Sequence, residues 1–167
     1  MLLKTTRLIL RPQIPTDASP LFDILSDPQA MRFWSRPAMT ELAVANELVR
    51  EQQAAMVSGL CRYWTILENR QAIGSIDLSL IRDGSAELGF LLRPDRWDLG
   101  FASEAVGAVI TYALGPLDLK RLAAAVQAEN RAAARVLEKN GFSQVQQRAV
   151  TMPGGNSRVC GFYLLTR

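Results

Sequence analysis

Glu87-Leu88-Gly89-Phe90-Leu91-Leu92-Arg93-Pro94-Asp95-Arg96-Trp97-Asp98-Leu99-Gly100-Phe101-Ala102-Ser103-Glu104-Ala105 is the stretch on which the reading of this chain turns. An apolar, strand-like run is followed by a short loop. From Gly100 the period becomes helical, with Ala102, Val106, Val109, Ile110 and Ala113 on one side and Gly115-Pro116 as the stop. Small residues at the helix opening let backbone N–H groups approach a ligand closely, and the first four N–H groups of a helix lack an intrahelical acceptor. Together with the helix dipole they form a site for a phosphate or pyrophosphate. A tight turn with close helix packing would select the same small residues.

Toward the N-terminus, Ser85 to Leu92 is the third of three strand-like runs, after Cys61 to Leu67 and Gln71 to Ile81, with turns at Glu68-Asn69-Arg70 and Arg82-Asp83-Gly84. Short connections make these three strands antiparallel. Thr40 is placed to cap a helix through Leu42, Ala45, Leu48, Val49 and Met56, and Thr16-Asp17 to cap a shorter one ending at Asp27-Pro28. Alternation in Arg7 to Arg11 predicts a first strand. Toward the C-terminus, Arg121 to Val126 reads as a strand, Asn130 as the cap of a helix stopped by Gly141, and Gln144 to Met152 with Arg158 to Leu165 as a hairpin. The predicted fold is α/β (α+β): residues 1–167 as one domain, a mixed, mostly antiparallel sheet of about seven strands with helices on both faces.

The 167 residues are 49% hydrophobic and 21% charged, enough apolar material for one core. Residues 1–119 hold 11 basic and 14 acidic side chains and residues 120–167 hold 8 and 2, so a net charge of −3 is followed by +6. With no histidine, Ser/His nucleophiles and His acid/base chemistry are excluded, and protons must move through Glu, Asp, Tyr, Cys, Lys or water. Cys61 and Cys160 form no CxxC pair, so no metal site is expected. No segment approaches the ~20 apolar residues of a membrane helix, which predicts a cytoplasmic protein without a membrane partner. The basic residues are not interleaved with aromatics in a nucleic-acid motif, so no direct nucleic-acid partner is expected.

Thr6-Arg7-Leu8-Ile9-Leu10-Arg11-Pro12, Ser26-Asp27-Pro28, Met31-Arg32-Phe33-Trp34, Ala86 to Phe90, Trp97 to Ala105, and Asn130 through Val136-Leu137-Glu138-Lys139-Asn140-Gly141-Phe142 occur in this order along nearly the whole chain. In these blocks the chain resembles the GNAT superfamily of N-acetyltransferases, in particular the branch that includes the bacterial ribosomal-protein N-terminal acetyltransferases. The resemblance implies acetyl-CoA as co-substrate and an amine as acceptor, by direct transfer in a ternary complex. It also implies a sheet splayed in its middle, with pantetheine in the gap.

On that resemblance, Trp97, Leu99, Gly100, Phe101, Ala102 and Ser103 border the pyrophosphate, Leu91 and Leu92 pair with pantetheine, and Asn130 and Arg135 contact the cofactor, with Arg96 and Lys139 as further phosphate candidates. Glu87 is the expected base and Asp77 the second choice. The family's serine and tyrosine after the Asn are replaced by Ala133 and Leu137, which leaves Tyr163, Cys160 or water to protonate the thiolate. Arg32, Phe33 and Trp34 are expected at the acceptor mouth. The acceptor is a peptide N-terminus or a small amine, and other acyl groups or a catalytically weak acyl-CoA-binding module are the alternatives. The apolar last strand is compatible with a monomer or a homodimer.

Overall fold

The structure, a computed structural model, describes residues 1–167. The strands are β1 (Leu3–Lys4), β2 (Ile9–Pro12), β3 (Arg62–Glu68), β4 (Gln71–Arg82), β5 (Ser85–Leu92), β6 (Arg121–Gln127), β7 (Ser143–Thr151) and β8 (Ser157–Thr166). The helices are α1 (Ala18–Leu25), α2 (Leu42–Val57), α3 (Phe101–Leu114) and α4 (Arg131–Lys139). The eight strands form one sheet in the order β1-β2-β3-β4-β5-β6-β8-β7, one strand more than expected. The added strand is β1, whose two residues pair with Leu10 and Ile9 and are too few to show alternation.

Hairpin chemistry explains the antiparallel run from β3 to β5. Asn69 and Arg70 at one turn, and Asp83 and Gly84 at the next, all have positive φ, the geometry that matches the right-handed twist of adjoining strands. The only parallel neighbours are β5 and β6, connected through α3, and they pair for just three rungs: Ser85 with Arg121, Ala86 with Leu122 and Glu87 with Ala123. Beyond Glu87 the sheet divides. β5 stays on β4 as far as Leu92 and β6 stays on β8 as far as Gln127, so the expected splay is present.

Period-2 alternation sends side chains to two different cores. Ala86, Leu88 and Leu92 of β5 join Leu122, Ala124, Tyr163 and the buried face of α3 in a cluster of 22 residues. Leu91 faces the opposite way and joins α1 and α2 in a cluster of 10. The predicted caps divide. Asn130 does cap α4, accepting from the Ala133 N–H at 3.2 Å, and Gly141 follows that helix with φ 88°. Thr40 caps nothing: α2 begins at Leu42 after an extended Glu41 without a side-chain cap.

Asp17 is a tether instead of a simple cap. It is buried, and it accepts from Arg11 Nη2 at 2.6 Å, the Ile14 N–H at 2.8 Å and Thr65 Oγ1 at 2.7 Å, joining β2, the start of α1 and β3. Burial by itself would raise its pKa, but the Arg11 guanidinium and the two other donors hold the carboxyl below its ordinary range.

Candidate active site

The division of the sheet leaves a slot of about 400 Å³ between β5 and β6. Its edges are unpaired backbone. The Arg93 N–H donates to the Ile73 carbonyl, and in that register Leu91 faces Ser75 and Gly89 faces Asp77, so the peptide groups of Gly89 and Leu91 belong to β4. Alternation turns the peptide groups of Leu88, Phe90 and Leu92 toward β6. Across the gap, the Ala128 N–H on the Val159 carbonyl commits Ala124 and Val126 to β8 and leaves the peptide groups of Ala125 facing β5. Two expectations change. Leu91 has no peptide group to offer a ligand in the slot, whereas Phe90 does. Leu92 offers its N–H, while its carbonyl already accepts from the Trp97 indole at 3.0 Å.

The slot is lined from both faces of the sheet. On the α3/α4 face its walls are Leu88, Phe90, Val126, Asn130 and Ala133, and on the α1/α2 face they are Phe33, Trp34, Cys160, Phe162, Arg148 and Val150. Asn130 uses its side-chain oxygen for the cap and still borders the slot, so the structural and ligand-facing readings of this residue coexist.

At the start of α3, the N–H groups of Leu99, Gly100, Phe101, Ala102 and Ser103 find no acceptor within the chain, and the first backbone bond of the helix is Glu104 N–H to the Gly100 carbonyl. Gly100 has φ 82°, which an L side chain adopts only at a cost. A clasp holds the loop in this shape. Glu104 accepts from Thr5 Oγ1 at 2.5 Å, the Arg7 N–H at 2.8 Å and Arg7 Nε at 2.7 Å, while Arg7 Nη1 donates to the Leu99 carbonyl at 3.0 Å. The Phe101 side chain is core, so only its backbone faces outward. Ser103 Oγ accepts from Asn140 Nδ2 at 3.0 Å and thereby ties α3 to α4. Trp97 and Leu99 stay exposed beside the loop. Arg135 is exposed on α4 and outside the slot lining. Arg96 is engaged elsewhere, with Glu68 at 2.8 Å and Asp95 at 2.9 Å.

The two carboxylate candidates lie on the α1/α2 face. Glu87 is exposed on the last rung before the division, opposite Ser79 on β4. Asp77 is more deeply set, directly across from Gly89, a residue that lines the slot. Burial pushes the Asp77 carboxyl up to about 7; the Ser79 hydroxyl opposes the rise and the negative charge of Glu87 adds to it. Tyr63 pairs with Asp77 from β3, and its phenol is raised by burial and by the charge of Asp77.

Tyr163 is not brought to these groups. It lies 5% exposed in the α3/α4 core, outside the slot lining, and its hydroxyl donates to Gln144 Oε1 at 3.3 Å, so the expected proton donor to a thiolate is a packing residue. Burial first, and then the nearby Glu138, raise its pKa. Cys160 does line the slot.

Phe33 and Trp34 line the slot and Arg32 lines a cavity beside it, and their segment is held by residues the sequence did not single out. Gln127 Nε2 donates to the Phe33 carbonyl at 2.8 Å, and Arg158 Nη1 donates to Gln127 Oε1 at 2.6 Å and to the Arg32 carbonyl at 3.2 Å. Alternation along β6 and β8 places Gln127, Cys160 and Phe162 on one face, but only the sheet order brings them together.

The chain shares this architecture with known proteins. It is 30% identical over 147 residues to an uncharacterized N-acetyltransferase, YoaA, of Bacillus subtilis, covering 86% of this chain and 83% of that one. Among solved structures, the ribosomal-protein α-N-acetyltransferase RimL in complex with coenzyme A superimposes with a TM-score of 0.89 at 17% identity, covering 99% of this chain and 98% of that one. Spermidine N-acetyltransferase from Vibrio cholerae in complex with CoA and spermine gives 0.84 at 19%, covering 97% and 96%. Residues 7–143 match the acetyltransferase (GNAT) domain model, a span that runs from the Arg7 clasp to the start of β7, and the chain belongs to the GNAT family of acetyltransferases.

Proposed function

We propose that residues 1–167 act as one unit that transfers an acetyl group from acetyl-CoA to a primary amine in a ternary complex, the co-substrate entering the slot from the α3/α4 face and the amine from the α1/α2 face. The observation that carries this reading is the slot itself, lined from both faces and edged by unpaired peptide groups, together with five unpaired N–H groups at the start of α3. Two structural neighbours are described in complex with coenzyme A, which supports the choice of donor.

Acetyl-CoA supplies an acyl group on a thioester: the amine nitrogen bonds to the carbonyl carbon, the carbon–sulfur bond breaks with its electron pair on sulfur, and the amine gives up a proton. The N–H groups from Leu99 to Ser103 hold the pyrophosphate. The peptide groups of Phe90 and the N–H of Leu92 align the pantetheine as an added strand, and a β5 N–H polarises the thioester oxygen. Asp77, whose carboxyl titrates near 7, takes the amine proton directly or through water, with Glu87 beside it. The thiolate is protonated from water, because Tyr163 is buried elsewhere and a thiol with pKa of about 8.5 is a tolerable leaving group. No nucleophile and base are paired for a covalent acyl-enzyme.

Incubation with acetyl-CoA and a library of peptide N-termini and small amines, read by mass spectrometry of the amines, tests this reading. Acetylated amines with matching release of CoA are expected. Binding of acetyl-CoA without transfer to any amine would make the chain a binding module.

A further inference from the structure

Resting on the transferase reading above, we infer that the acceptor carries a carboxylate near its reacting amine, read by arginines on both sides of the acceptor mouth. A second cavity of about 370 Å³ adjoins the slot and shares Trp34, Ser35 and Met152 with it. Arg32 and Arg36 reach it from the segment between α1 and α2, and Arg158 reaches it from β8. Arg148 of β7 stands in the slot wall, its guanidinium 4.6 Å from the centre of the Phe162 ring.

None of these four arginines is in an ion pair, although Arg7, Arg11, Arg50, Arg93, Arg96 and Arg167 all are. Neither cavity is lined by any Asp or Glu. Arg158 spends one nitrogen on Gln127 and the Arg32 carbonyl, and Arg36 makes no hydrogen bond within the chain. Part of the positive charge of residues 120–167 is thus concentrated where the acceptor enters. Planar guanidinium groups pair with carboxylates in a bidentate manner, whereas a polyamine would meet like charge on both sides. The amine therefore lies in the slot while its carboxylate lies toward Arg36.

Two sources share that chemistry: an acidic side chain just after a peptide N-terminus, and the carboxylate of a free amino acid. The test measures kcat/KM by CoA release for a peptide beginning Ser-Asp-Glu, its Ser-Asn-Gln counterpart, free glutamate and spermidine, at low and high salt. The acidic peptide, the amino acid or both are expected to exceed the neutral peptide and spermidine by about tenfold or more, with the margin shrinking as salt rises. Arg36→Glu, on an exposed segment, and independently Arg148→Glu are expected to bring the anionic-to-neutral ratio to about one or below. Equal or better use of neutral amines or spermidine by the wild-type chain, or an unchanged ratio in both variants, overturns the inference and leaves the transferase reading standing. Transfer to no amine at all overturns both.

Discussion

The Asp77 carboxylate lies 2.7 Å, through Oδ1, from the point that a β-carbon on Gly89 would occupy. The absence of a side chain at Gly89, which lines the slot, is what leaves room for the Asp77 carboxylate behind it across the β4–β5 pair. The larger substitution Gly89→Ala must displace the carboxylate, because real β-carbons do not approach so closely. It is expected to lower kcat by about tenfold or more while acetyl-CoA affinity is kept, since misplacing a proton acceptor forfeits part of a typical 100-fold contribution. Steady-state kinetics with a calorimetric acetyl-CoA titration separates the two quantities, and an unaltered kcat would detach Asp77 from the reaction.

Gly100 answers to a different demand. Its φ of 82° opens α3 and leaves five N–H groups free, and a β-carbon there would lie 3.4 Å from Arg7 Nη2. Gly100→Val adds a branched side chain in a left-handed conformation and crowds the Arg7 clasp. It is expected to weaken acetyl-CoA binding by about 100-fold through loss of the pyrophosphate site. Unchanged affinity by calorimetry would remove the start of α3 from the binding site.

Stability should depend on Asp17 in a pH-dependent way. Its carboxyl is held below the ordinary range by Arg11, Ile14 and Thr65, so it contributes stability above the unfolded value near 4 and loses it as pH falls through the folded value. Asp17→Ala leaves the Arg11 guanidinium, an N–H and a buried hydroxyl unpaired, and is expected to cost about 3 kcal/mol at neutral pH. Thermal melts should show Tm lowered by about 10 °C at pH near 7, with the gap closing at pH near 3. A gap independent of pH would mean that Asp17 acts through packing and not through its charge.

Much of the fold was legible because it rests on local rules. Turn residues with positive φ, the cap at Asn130, the helical stripe of α3 and the parallel crossover all have short-range signals. β1 and the beginning of α2 did not, since two residues carry no period and Glu41 offers no cap. The start of α3 with its glycine opening was readable as well, being contiguous. The remainder of the site was only partly legible, because it is assembled across the split in the sheet. Arg36, Gln127, Arg148 and Arg158 are far apart in sequence and meet only once β6, β8 and β7 are ordered. Asp77 ranked below Glu87 in sequence terms because burial, which distinguishes the two, is a property of the folded neighbourhood. Tyr163 sits on the last strand, as expected, but alternation turns it toward the core; the neighbouring Phe162 faces the slot.

The most direct test of the account is the pH dependence of acetyl transfer in the wild-type chain and in Asp77→Asn, with one peptide acceptor and CoA release as the readout. The wild-type kcat/KM is predicted to rise through a limb near pH 7, where Asp77 loses its proton. The variant is predicted to lack that limb and to turn over about 100-fold more slowly, with acetyl-CoA affinity kept. A variant with the wild-type rate and the wild-type profile would contradict the account.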